Sequence, residues 1–152
     1  MRAAFYRGTR PGLAGIYNRL VRWWCRSSYS HVELVFSDGW AASASYMDGG
    51  VRLTRIEFDP ARWDLVELPA HLEAGARAWF EAHLGQPYDL LGNLHFVVSP
   101  VADDKDRWFC SESVGAALGM PEAWRFDPGT LYAVLAGGFA PPAPDAAARA
   151  AA

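Results

Sequence analysis

Residues 30 to 45 read SHVELVFSDGWAASAS, two runs of strand-forming residues about the turn pair Asp38-Gly39. A two-residue Asp-Gly connection between such runs is a strong short-range signal for a β-hairpin. Side chains alternate along a strand, so His31, Glu33 and Val35 share one face while Val32, Leu34 and Phe36 share the other. One face is apolar, and the other begins with an imidazole followed by a carboxylate.

The rest of the chain extends this antiparallel unit. Upstream, AAFYR (residues 3–7) has the composition of a strand and is broken by GTRPG (8–12). Downstream, YMDGG (46–50) is a further turn, and VRLTRIEF (51–58) and WDLVEL (63–68) read as two more strands of a meander. Helical spacing takes over at 71–84, ended by Gly85 and Pro87. Further short helices are expected from YDLLGNLHFVV (88–98), SESVGAALG (111–119) and DPGTLYAVLAGG (127–138), the last capped by Asp127 or Thr130. Those elements predict an α+β domain with one antiparallel sheet of about five strands flanked by helices. The domain is expected over residues 1–139, and the Ala/Pro-rich segment 140–152 is expected to be a disordered tail.

Between Leu13 and Trp24, the apolar positions Leu13, Ile16, Tyr17, Leu20, Val21 and Trp24 recur at spacings of three and four. An amphipathic helix follows from that spacing. Its apolar stripe is expected to pack on the core. Only three cations lie close to it, too few to favour a membrane-surface role.

Composition bounds the function. A chain of 152 residues that is 51% hydrophobic and 14% aromatic can fold around a single core, burying roughly two-thirds of its unfolded surface. The net charge of −3 gives no basic footprint for nucleic acid. No run approaches the ~20 apolar residues of a spanning helix, and MRAAFYRGTR lacks a signal-peptide core, so neither a membrane span nor an export signal is expected. Cys25 and Cys110 are the two cysteines. They cannot make a disulfide framework, and neither sits at zinc-ligand spacing with a histidine. His71, His83 and His95 likewise make no metal pattern, so no metal or cofactor is expected.

In RWFCSE (107–112), Cys110 falls at the first turn of a short helix. A thiol works as a nucleophile only as thiolate, and a helix N-terminus stabilises that anion. The amides there can also hold the oxyanion of a tetrahedral intermediate. His31, on a strand face that is not plain core, could exchange the proton. Taken singly, each residue has a simpler account: a packed thiol and a structural histidine.

Taken together, SHVELVF, SAS, DGGV, GQPYDLLG and RWFCSE resemble the circularly permuted branch of the NlpC-type papain-like cysteine hydrolases, in a phage-encoded variety. The likeness runs from about residue 3 to 135. It implies a permuted papain-like fold in which Cys110 is the nucleophile and His31 the general base. The family's third residue, which orients the imidazole, falls on Ser43, where relatives often carry a carboxylate or a histidine. Ser43 is the preferred orienter, with Glu33 nearby as the alternative. Glu112 and Tyr88 also match family positions. Glu112 is equally explained as a carboxylate in a first helical turn. Tyr88, Trp108, Ser45 and Glu112 are the candidate substrate-binding residues.

Three functions compete on these grounds. The first is a monomeric thiol peptidase or amidase cleaving an amide, such as a cell-wall (peptidoglycan) stem peptide, in the bacterial cytoplasm or a phage virion. The second is a noncatalytic phage structural, assembly or binding module that kept the fold. The third is a thioesterase or acyltransferase for acyl lipids, for which the many tryptophans could line an apolar cleft.

Overall fold

The computed structural model describes residues 1–89 and 107–138. Five strands form one antiparallel sheet: β1 (Arg2–Tyr6), β2 (His31–Val35), β3 (Ala41–Ser45), β4 (Gly50–Thr54) and β5 (Trp63–Glu67), in the spatial order β4-β3-β2-β1-β5. Four α-helices are present among the described residues: α1 (Gly12–Trp24), α2 (Glu73–Ala82), α3 (Cys110–Ala117) and α4 (Pro128–Ala136). The chain is therefore α+β, as its patterning predicts. The helix expected from Tyr88 lies, beyond Asp89, outside the described residues, as does the segment from residue 139 onward. Tyr88 itself is not helical and forms an isolated bridge with Trp108.

The hairpin of β2 and β3 forms with Leu34 opposite Ala42 and Val35 opposite Ala41, and β4 continues the meander with Arg52 opposite Ser43. β5 departs from it. Instead of adding beside β4, it crosses to the far edge and pairs with β1, Tyr6 facing Trp63. The crossing segment brings Ile56 and Phe58 over the sheet, where they join Tyr6, Val35 and Trp63 in a small second core. Trp63 packs against Tyr6 at 4.9 Å and Phe58 at 5.0 Å. Burying this aromatic group outweighs the shorter connection beside β4, since a large aromatic removes 150–250 Å² from water.

The main core lies on the other face. Phe5, Val32, Leu34, Ala42 and Ala44 point from the sheet toward α2, α3 and α4, which supply Phe80, Val114 and Leu131. α3 can lie close because Gly115 packs against Ala123, whose Cβ a methyl group on the glycine would meet at 3.2 Å. The N-terminus of α4 is held by Asp127, which accepts from the amides of Gly129 (2.7 Å) and Thr130 (3.1 Å).

α1 does not follow the expectation for it. None of its described side chains belongs to either core, and Ile16, Leu20, Trp23 and Trp24 are exposed. Polar bonds tie it down instead. Asn18, buried, donates to Ser30 Oγ at 3.1 Å and accepts from the Arg10 amide, and Arg22 donates to the Arg7 carbonyl and to Thr9 Oγ1. Arg26, in the left-handed region at φ 47°, ends the helix with the Ser27 amide bonded back to the Arg22 carbonyl.

Candidate active site

Cys110 is the first residue of α3, at the end of the helix where the macrodipole is positive. Glu112 strengthens that end. Its carboxylate reaches back to the Phe109 amide at 3.3 Å, which is the simple explanation of the residue given above. Ser113 clamps the turn to the sheet. Its hydroxyl donates to the Cys110 carbonyl (2.9 Å) and accepts from the Ala44 amide on β3 (3.1 Å). Beside the cysteine, Ser111 is fully buried, and its hydroxyl is the one buried side-chain oxygen without a hydrogen-bond partner among the described residues.

His31 opens β2. Its Nε2 lies 2.7 Å from Glu33 Oε1, two residues along the same strand face. The Cys110 thiol, which belongs to the helix-side core, is close enough to act on the same ring by charge and hydrogen bonding. With Nε2 committed to Glu33, Nδ1 is the nitrogen left for sulfur. Being the strand's first residue, His31 can thus join the two faces of the sheet. Burial alone would disfavour the charged ring, but the charges and hydrogen bonds of Cys110 and Glu33 outweigh it and push its pKa up to about 9.

Glu33 is completely buried, yet it stays ionised. Burial opposes the charge; hydrogen bonds from Arg52 and the charge and hydrogen bond of His31 overcome this and hold the carboxyl below its usual range. Arg52 Nη1 and Nη2 grip Glu33 Oε2 and Oε1 at 2.6 and 2.5 Å, a bidentate pair. Its Nε donates to Asp48 at 2.9 Å, and Asp48 in turn accepts from the Ser45 hydroxyl. A continuous polar chain therefore runs Cys110, His31, Glu33, Arg52, Asp48, Ser45.

Ser43, preferred as orienter from the sequence, does not take that place. Its hydroxyl is buried and donates to the Val32 carbonyl at 2.7 Å, so it is spent on the sheet. Glu33 is the residue bonded to the imidazole, and as a carboxylate it can stabilise an imidazolium as a serine cannot. Among the proposed substrate contacts, Ser45 is buried against Asp48. Trp108 packs on α2, 4.8 Å from Trp79 and 5.4 Å from His83, with its Nε1 donating to Gln86. Tyr88 is buried, with its ring 6.0 Å from Tyr46. Arg52 and Asp48 were not singled out in sequence as parts of a site. Their signal is DGGVR itself: Arg52 is cross-strand from Ser43 and shares its face with Glu33.

Burial, Asp127 and Cys110 together push the Cys25 thiol up to about 12, which keeps it a thiol near neutrality. Among the described residues no group of three or more His, Cys, Asp or Glu could hold a metal ion, and no helix is long and apolar enough to cross a membrane. Comparison with protein-family models, with curated proteins and with solved structures returned no match.

Proposed function

We propose that the chain is a thiol hydrolase of the permuted papain-like, NlpC type, acting on an amide bond, with cell-wall stem peptides as the substrate class. The observation that carries this is the His31 imidazole, fixed by Glu33 through Nε2 and placed against the thiol at the first turn of a helix. An imidazole beside a thiol can exchange its proton. In the reaction, the Cys110 sulfur attacks the carbonyl carbon and an S–C bond forms. First-turn amides, which lack intrahelical acceptors, face the developing oxyanion. The C–N bond breaks as Nδ1 of His31 protonates the departing amine. Water then attacks the thioester with His31 taking its proton, releasing the acid and restoring the thiol. Arg52 and Asp48 act through Glu33 as positioning residues.

The reverse consideration is burial: Cys110 is only 4% exposed, which favours a noncatalytic module of the same fold. Limited iodoacetamide followed by mass spectrometry separates the two. Rapid labelling of Cys110 but not Cys25, abolished in His31→Ala, supports the hydrolase. Equally slow labelling of both cysteines supports the module. Turnover of muropeptides and acyl esters, with Cys110→Ala as the blank, then distinguishes an amidase from an acyl-lipid enzyme.

A further inference from the structure

The outward face of α1 is both apolar and cationic. At about 100° per residue, Ile16, Leu20 and Trp23 fall within about 60° of one another, and they are 55%, 58% and 72% exposed. Trp24 extends the stripe, its ring 5.9 Å from that of Trp23. Buried Asn18 points the opposite way, so the helix is oriented with its apolar stripe to the outside. Arg19 flanks the stripe and Arg26 follows it, both exposed. The bonds from Arg22 to the Arg7 carbonyl and from the Arg10 amide to Asn18 bring the 7–10 segment, with two further arginines, alongside. Of the arginines that precede Glu33, Arg2 pairs with Glu67, Arg7 with Asp64, Arg22 is bonded to the Arg7 carbonyl and Thr9, and Arg10 lies over the Tyr6 ring, so Arg19 and Arg26 are the cations at the stripe, with no carboxylate among residues 1–32.

Because its apolar stripe is exposed instead of packed on the core as the sequence alone leads one to expect, we infer that α1 is an interfacial helix that docks the protein on an anionic lipid surface, Ile16, Leu20, Trp23 and Trp24 entering the headgroup boundary while Arg19 and Arg26 meet lipid phosphates. Charge and geometry select this occupant. A cation-flanked apolar stripe carrying tryptophans is the composition that settles at the boundary of anionic lipid. A second copy packed face to face would set the same arginines against each other, and like charges so placed are unfavourable.

Co-sedimentation of the full chain with vesicles of phosphatidylcholine alone, or mixed with phosphatidylglycerol, tests this without any turnover and so stands apart from the hydrolase proposal. Expected are binding to the mixed vesicles, weak binding to neutral ones, a blue shift of tryptophan emission, and loss of binding as salt is raised. Each arginine at the surface is worth roughly fivefold in partitioning, so Arg19→Glu, a change of two charges, should weaken binding by roughly twenty-five-fold. Leu20→Asp should abolish it while the circular dichroism spectrum is kept. Failure to bind mixed vesicles overturns the proposal. So does equal binding to both vesicle types, or a dimer in sedimentation that Leu20→Asp dissociates. Exclusive binding to an acidic protein in place of lipid overturns it as well.

Discussion

Replacing Glu33 by glutamine probes the polar chain at its centre. The carboxylate is fully buried and takes three bonds, two from Arg52 at 2.6 and 2.5 Å and one shared with His31 at 2.7 Å. Glutamine keeps the size and removes the charge. His31 stands at about 9 instead of its ordinary 6.5, which corresponds to about 3 kcal/mol of preference for the charged ring. Cys110 supplies the larger share of the upward push and Glu33 the next. The Glu33→Gln protein should therefore titrate its imidazole about one pH unit lower, read from the ring proton signals by NMR. The second consequence is stability. Arg52 loses its bidentate partner but keeps Asp48 and some contact with water, so the cost falls at the low end for a broken buried pair, about 3 kcal/mol. For a chain this long that is a drop of roughly 9 °C in Tm by calorimetry. Ser43→Ala is the control and should leave the imidazole titration where it is. An unchanged midpoint in Glu33→Gln, with a lowered one in Ser43→Ala, would refute the assignment of Glu33 as the orienting group.

Other predictions follow from single contacts. Because the Glu33 carboxyl is held below its ordinary 4.5, its contribution to stability is present above that pH and lost as pH falls through the lowered value. Urea melts at pH 7 and pH 3.5 should thus show a larger acid loss for the native chain than for Glu33→Gln. Ser113→Ala leaves the Ala44 amide without its acceptor and frees the Cys110 turn; a loss of about 1–3 kcal/mol in urea unfolding and slower alkylation of Cys110 are expected. Asp127→Ala should cost about 1 kcal/mol in the same melt by uncapping α4. Gly50→Ala should fold poorly, with a lowered Tm. Its Cβ would clash with the Gln86 carbonyl oxygen, and its φ of 156° is one that L side chains rarely adopt.

The hairpin was legible because alternation and an Asp-Gly turn are local signals, and residues 30–45 carry both. The partner of β5 was not. Period-two patterning fixes which face of a strand is apolar but not which neighbour it joins, and here the choice rests on Trp63 meeting Tyr6 and Phe58 across the crossing segment. α1 shows the same limit for helices. Spacing identifies an apolar stripe but not what it faces, and the deciding contact, buried Asn18 on Ser30, is polar. At the site, Cys110 and His31 stood out by residue type and position. The choice between Ser43 and Glu33 turned on tertiary detail, since Ser43 finds a carbonyl to satisfy it and Glu33 finds an arginine from β4. Arg52 escaped notice because an arginine on an outer strand ordinarily points to solvent, and only the register of β3 with β4 directs this one at Glu33.

The interior position of β1, between β2 and β5, bears on how the protein is made. β2, β3 and β4 are neighbours in sequence, so that ribbon can close as soon as it leaves the ribosome. β1 must wait for β5, some sixty residues behind it, before its outer edge is covered, and pairings over such separations are the slow ones. Until then a nascent chain exposes the open edge of RAAFY to other chains. Crowded synthesis, more than heat, is then the circumstance in which this protein should be most prone to aggregate.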